Sequence, residues 1–108
     1  WEGIGSYRGN WLDGKKHGYG TMIWIDGSKY EGRWALDEFN GYGTYYYNNG
    51  DVYKGEWKNG KKSGKGIFTW KSGNTYEGNW INGERTGNGV MAMSDGEKWA
   101  VKILSLPN

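Results

Sequence analysis

Few side chains in this chain have the types and spacing that enzyme chemistry requires. Among its 108 residues there is one histidine, His17, and no cysteine, which excludes thiol catalysis, disulfides and cysteine-based metal sites. The serines lie in expected turns or near the ends, and the acidic residues recur at regular intervals instead of forming one acid–base pair. We therefore expect a non-enzymatic protein without catalytic residues, bound metal or cofactor.

The glycine pairs resemble phosphate-binding loops only superficially. The pattern Gly-x-Gly occurs four times, at Gly18/Gly20, Gly41/Gly43, Gly64/Gly66 and Gly87/Gly89. A dinucleotide-binding loop has one such pattern between a strand and a helix. Here all four copies lie inside expected strands, so the pattern does not predict a nucleotide site.

Basic residues suggest a second kind of chemistry, the binding of anions. Residues 53–75 contain six basic residues and one acidic residue, whereas residues 30–52 contain one basic and four acidic residues. Clusters of basic residues can bind acidic lipid headgroups. One hypothesis is therefore that an acidic membrane surface contacts Lys58, Lys61, Lys62 and Lys65. Because the sign of the charge alternates along the chain, we expect no binding to nucleic acid.

The elements that position these residues form an internal repeat of 23 residues. The repeated aromatic columns are Tyr7, Tyr30, Tyr53 and Tyr76, and Trp11, Trp34, Trp57 and Trp80. Self-similarity of this length indicates a repeat array. We assign repeats to residues 7–29, 30–52, 53–75 and 76–98, a partial repeat to 1–6 and a capping segment to 99–108. Because the chain begins at Trp1, we expect it to be part of a longer protein.

Each repeat contains two strand patterns and two turn patterns. Residues 76–80 and 64–70 alternate large and small side chains with a period of two, and no stretch has a sustained helical period. A three-residue turn ending in glycine follows one strand, and we expect a six-residue loop, such as residues 58–63, after the other. The prediction is an all-β fold: an elongated, twisted, single-layer antiparallel meander of 23-residue β-hairpin repeats with eight or nine strands, about 40 Å long.

The loop lengths predict which residues face each other. We expect Tyr7 opposite Met22, Gly9 opposite Gly20 and Trp11 opposite Gly18. One face then carries rows of tyrosine, glycine and tryptophan, and the rings can cover the glycine backbone.

These columns resemble the MORN (membrane occupation and recognition nexus) repeat, whose pattern is close to YxGxWxxGxxHGxGxxxxxDGxxY. The chain departs from it in keeping only His17 of the loop histidines, and in having Asp37 where glycine is expected. The resemblance implies an open β-sheet and a cytoplasmic interaction module, in some proteins associated with the cytoskeleton or with membranes. It also implies binding of a protein segment, self-association, or contact with an acidic membrane.

The aromatic face is the main candidate for binding. We predict a protein-binding groove, for an extended peptide or a helix, formed by Trp11, Trp24, Tyr30, Trp34, Tyr47, Tyr53, Trp57, Trp70, Tyr76 and Trp80. The alternative interpretation is that these rings simply form the core. Choline- and glucan-binding modules also use aromatic–glycine repeats, but their spacing is different. On the opposite face we expect a second apolar contact, from Tyr19, Ile23, Ile25, Tyr42 and Tyr46.

Overall fold

The computed structural model describes residues 5–103, with only the backbone of Ile103. The strands are β1 (Gly5–Leu12), β2 (Lys15–Trp24), β3 (Lys29–Ala35), β4 (Glu38–Tyr46), β5 (Val52–Lys58), β6 (Lys61–Thr69), β7 (Thr75–Ile81), β8 (Glu84–Ala92) and β9 (Lys98–Ile103). They form one antiparallel sheet in which each strand pairs with its neighbours in chain order. The principal extents are 44 × 32 × 22 Å. The predicted all-β meander is confirmed.

The three-residue turns have the predicted geometry. The Trp24 N–H donates to the Ser28 carbonyl at 2.9 Å, and the Gly27 N–H donates to the Trp24 carbonyl at 3.0 Å. Gly27 has φ of 95°, in the left-handed region where a side chain would be strained. The same two hydrogen bonds recur at the turns after Tyr47, Trp70 and Met93.

The predicted six-residue loops are wrong, because both strands continue to a two-residue turn. Asp13 and Gly14 connect β1 to β2 with φ values of 49° and 78°. Two successive positive φ values are typical of a type I′ turn, whose twist matches that of the flanking strands. Asn59 and Gly60 form the equivalent turn between β5 and β6, with φ values of 49° and 81°.

The register near these turns also differs from the prediction. Tyr7 lies opposite Met22 and Gly9 lies opposite Gly20, as expected, but Trp11 pairs with Lys16 instead of Gly18. Between the last two pairs, β2 has more residues than β1 and forms a bulge. Gly18 lies in this bulge with φ of 88°, and the equivalent glycines of the other repeats also have positive φ.

Tyrosine rings lie directly over glycines of the neighbouring strand. Tyr30, Tyr53 and Tyr76 are fully buried. A Cβ atom on Gly43 would clash with the ring of Tyr30, and one on Gly66 would clash with that of Tyr53. The glycine row is therefore required for the packing of the tyrosine row.

The tryptophan column connects successive repeats. The indole N–H of Trp34 donates to the Gly20 carbonyl at 3.0 Å, and that of Trp57 donates to the Gly43 carbonyl at 3.1 Å. Each of these tryptophans is nearly fully buried, so its polar N–H needs such a partner. The core of this single sheet thus consists of rings that lie on its own backbone.

The last strand continues the sheet without the glycine row. Val101 pairs with Gly89 and packs half-buried against the core, while Trp99 is exposed. The interpretation of residues 99–108 as a cap stays a prediction, and residues 1–4 and 104–108 lie outside the described part of the chain.

Candidate binding face

The ten aromatic residues of the predicted groove differ in their accessibility. The buried members are Tyr30, Trp34, Tyr53, Trp57, Tyr76 and Trp80, the half-buried members are Trp24, Tyr47 and Trp70, and Trp11 is 48% exposed. All ten lie on one face of the sheet, but a partner could contact only the second and third groups without rearrangement. The accessible rings pack against the buried rings, which lie closer to the backbone of the sheet.

The accessible rings form a continuous row. We define the aromatic stripe as Trp24, Tyr45, Tyr47, Phe68 and Trp70. Neighbouring ring centroids along it are 5.6, 4.7, 5.6 and 4.9 Å apart. The row crosses three repeats, because Trp24 ends β2, Tyr47 directly follows β4 and Trp70 directly follows β6, all at the same edge of the sheet. Burial and the nearby carboxylate of Asp51 raise the pKa of Tyr47 to about 12.

Cations lie among the rings of this face. One repeat column contains Lys16, Phe39, Lys62 and Arg85. The Nζ atom of Lys62 lies within cation–π distance of five ring centroids: Tyr47 at 5.4 Å, Tyr53 at 5.5 Å, Trp80 at 5.6 Å, Trp57 at 5.8 Å and Phe68 at 5.9 Å. Burial lowers the pKa of Lys62. The bulge explains why the sequence pattern did not place this ammonium on the aromatic face: it pairs Lys62 with Trp57.

A family model described as MORN repeat matches four consecutive segments of the chain, residues 7–29, 30–52, 53–75 and 76–98. The chain belongs to the MORN repeat family. MORN repeats generally act as non-enzymatic binding modules for proteins or membranes. A search of curated proteins found no match.

The four lysines of the membrane hypothesis do not share one face of the MORN array. Lys58 and Lys61 pair with each other on the face opposite the rings, and Lys65 also lies there; all three are exposed. Lys62 is half-buried among the rings. Contact of these lysines with a membrane stays a prediction.

The opposite face contains a cleft that sequence reasoning missed. It has a volume of about 550 Å³ and lies over the backbone of Gly66, Gly78 and Gly89. Its walls carry both charges, with Lys65 and Glu77 among the lining residues. The glycine columns did not signal it, because a Cβ atom at these glycines would point to the aromatic face, and both polar and apolar residues line the cleft.

The apolar residues predicted for this opposite face are mostly exposed. Tyr19, Ile23 and Tyr42 lie in strands and are about half exposed, and Tyr46 is half-buried beneath the ammonium of Lys29. The placement of Ile25 in this face was wrong, because it lies in a three-residue turn, where it is 79% exposed.

The single histidine lies at a turn contact. Its Nδ1 atom accepts a hydrogen bond from the Leu36 N–H at 3.3 Å. Within residues 5–103 no group of three or more His, Cys, Asp or Glu side chains could hold a metal ion. The same part of the chain contains no helix long and apolar enough to cross a membrane.

Proposed function

We propose that this MORN array is a scaffold that binds a segment of another protein on its aromatic face. The observation that carries the proposal is the aromatic stripe, a continuous row of half-buried rings that no second layer covers within the described chain. Contiguous apolar surface of this kind usually marks an interface. Tyrosine and tryptophan are also the residues that contribute most to interface affinity.

The buried and accessible rings have different tasks in this proposal. Tyr30, Tyr53 and Tyr76 hold the sheet together and support the stripe from below, whereas Trp24 and Trp70 offer ring surface to the partner. An extended peptide or a helix could lie across several repeats. We infer a cytoplasmic location from the family, with association to the cytoskeleton or to a membrane through the partner.

The test is a capture experiment with matched aromatic substitutions. The protein, immobilised with its stripe intact, is compared with the Tyr47→Ala and Trp70→Ala variants, and with Tyr42→Ala as a control on the opposite face. Captured proteins are identified by mass spectrometry, produced pure and titrated by calorimetry. We expect a partner that binds the wild type and the control equally and both stripe variants at least about ten-fold more weakly. Equal binding to all four folded proteins, checked by circular dichroism, would refute the proposal.

A second proposal is binding to acidic phospholipid through the opposite face of the third repeat. It rests on the exposure of Lys58, Lys61 and Lys65 on that face together with Lys54. However, Glu56 lies on the same face of β5 and accepts a hydrogen bond from the Lys65 N–H at 2.8 Å, which reduces the net charge of the patch. Flotation with phosphatidylserine vesicles at physiological salt tests this idea, and absence of co-flotation contradicts it.

A further inference from the structure

The first repeat contains a cation that is neutralised within the protein. The Nζ atom of Lys16 lies 3.6 Å from Oδ1 of Asp37, and the lysine is 2% exposed. The same ammonium lies 5.5–5.9 Å from the ring centroids of Tyr7, Trp11 and Trp34. Burial lowers the pKa of Lys16, and Asp37 opposes that shift. The Asp37 carboxylate therefore supplies a full negative charge next to the ammonium, which three neutral rings cannot do.

The third repeat contains the same arrangement without the carboxylate. Lys62 lies 46 residues after Lys16, and three of the rings around it, Tyr53, Trp57 and Trp80, are the equivalents of those around Lys16. The position equivalent to Asp37 is Gly83. Within residues 5–103 no acidic side chain forms an ion pair with Lys62.

The backbone hydrogen bonds show that Gly83 occupies the same position relative to Lys62 as Asp37 does relative to Lys16. The Asp37 N–H donates to the carbonyl of Lys16 at 2.9 Å, and the Gly83 N–H donates to the carbonyl of Lys62 at 3.0 Å. Both residues have positive φ, 72° and 87°. A carboxylate at position 83 would therefore project toward Lys62 as that of Asp37 does toward Lys16.

The aromatic face carries net positive charge around this site. Arg85 follows in the fourth repeat, with its guanidinium carbon 5.2 Å from the ring centroid of Tyr76 and 6.0 Å from that of Trp70. In the strand pairing of β5 to β8, the rows on this face hold aromatic residues, glycine, methionine, Lys62 and Arg85, with no acidic residue. This combination of rings and unneutralised cations is complementary to a ligand that is apolar and acidic.

We propose that Lys62 binds a carboxylate of the partner segment, whose neighbouring apolar side chains lie on the aromatic stripe. This inference rests on the proposed function and specifies the chemistry of the partner: a polypeptide with aspartate or glutamate beside large apolar residues. The ring of Tyr47 belongs to the stripe and lies 5.4 Å from the ammonium. The distance between the apolar contact at Tyr47 and the acidic contact at Lys62 thus matches the distance between adjacent side chains of a peptide. This match favours a polypeptide over a lipid headgroup as the ligand.

The substitution that tests this proposal is Gly83→Asp, because it installs the carboxylate that the first repeat already contains. It should compete with the ligand carboxylate for Lys62 and raise the pKa of that lysine, which NMR titration of its side chain measures. Gly60→Asp is the matched control: Gly60 has φ of 81°, and its N–H donates to the carbonyl of the neutral Phe39 at 2.9 Å. Lys62→Met removes the charge and keeps the apolar stem.

The probe is a 12-residue peptide selected from a random phage-displayed library on the wild-type protein, together with its Asp→Asn and Glu→Gln analogue. We expect acidic residues beside Leu, Phe or Trp in the selected peptides. Fluorescence polarisation should show binding weakened roughly ten-fold or more by Gly83→Asp, by Lys62→Met and by the amide analogue, as for loss of one charge-assisted hydrogen bond. Gly60→Asp should leave the affinity within about two-fold.

The other outcomes separate this inference from the proposed function. If Trp70→Ala abolishes binding and Gly83→Asp does not, the carboxylate anchor is wrong and the aromatic binding face stands. If neither substitution affects binding, both proposals fail. Equal weakening by Gly83→Asp and Gly60→Asp would indicate an effect of the turn and overturn the anchor. Binding of phosphatidylserine vesicles that Lys62→Met removes would overturn the choice of a polypeptide.

Discussion

The substitution Gly66→Ala tests whether the glycine row exists to accommodate the tyrosine row. Gly66 lies in β6, and a Cβ atom there would overlap the end of the Tyr53 ring. That ring cannot move aside easily, because it packs edge-on against Trp57 and Trp80 with centroid separations of 5.0 and 5.2 Å. Its hydroxyl also donates to the Glu56 carbonyl at 3.2 Å. The new methyl group should therefore displace the ring.

The expected cost follows from what the displaced ring loses. Burial of a large side chain contributes about 1.5–3 kcal/mol, and the hydroxyl hydrogen bond about 0.5–1.5 kcal/mol. Alanine in a strand recovers about 0.5–1 kcal/mol relative to glycine. Gly66→Ala should therefore lower the free energy of unfolding by about 1–4 kcal/mol, measured by urea denaturation with circular dichroism.

A double-mutant cycle with Tyr53→Leu isolates the clash. Leucine does not reach over Gly66, so adding Gly66→Ala to Tyr53→Leu should be neutral or stabilising. Stabilisation by Gly66→Ala in the wild-type background would refute the packing explanation, because it is the result that strand propensity alone predicts. An equal cost in both backgrounds would refute it as well.

Three further predictions concern the tyrosine hydroxyls and two equivalent turns. Tyr76→Phe should be neutral or stabilising, because no group within residues 5–103 forms a hydrogen bond with the buried hydroxyl of Tyr76, whereas Tyr53→Phe should cost about 1 kcal/mol. Urea denaturation compares the two. Leu36→Asn should stabilise the protein by about 0.5–1 kcal/mol, because Leu36 has φ of 48° and asparagine tolerates the left-handed region better than leucine. Asn59→Leu at the equivalent turn should destabilise the protein by a similar amount. If both substitutions changed stability in the same direction, the backbone explanation would be wrong. Burial raises the pKa of Tyr53 and raises that of Tyr47 to about 12. The folded state therefore retains protons that the unfolded state releases above about pH 10. The free energy of unfolding should fall as pH rises above about 10.5, by roughly 1.4 kcal/mol per pH unit for each such tyrosine. A free energy of unfolding that stays constant between pH 10.5 and about 11.5 would contradict this.

The register at the tyrosine and glycine rows was predictable because both depend on the period. A 23-residue step and a three-residue turn leave one pairing that places Tyr30 opposite Met22 and Gly32 opposite Gly20, and the structure has that pairing. A slip of one residue would have moved the rings to the other face.

The turns after β1, β5 and β7 carried a local signal that the interpretation as six-residue loops overlooked. Asp13 and Gly14, like Asn59 and Gly60, form the dipeptides most typical of type I′ hairpins. Tightening the turn to two residues requires the surplus residues to form a bulge, and the Gly-x-Gly pattern supplies Gly18 for it. The bulge in turn decides the faces of the lysines, so the interpretation as six-residue loops could not place Lys62 on the aromatic face.

The repeat positions whose residue type varies are those that the packing of rings on glycine does not require. Tyrosine and tryptophan of the buried columns are the same in all four repeats, because each ring must fit the same glycine backbone. In contrast, the column of Lys62 also holds phenylalanine and arginine, and the turn position of Gly83 holds aspartate in the second repeat. A change at these positions alters charge beside the aromatic stripe while leaving the ring-on-glycine packing intact. Partner specificity in this array can therefore differ from repeat to repeat without a change of fold, and Gly83→Asp is the single substitution that makes the third repeat resemble the first.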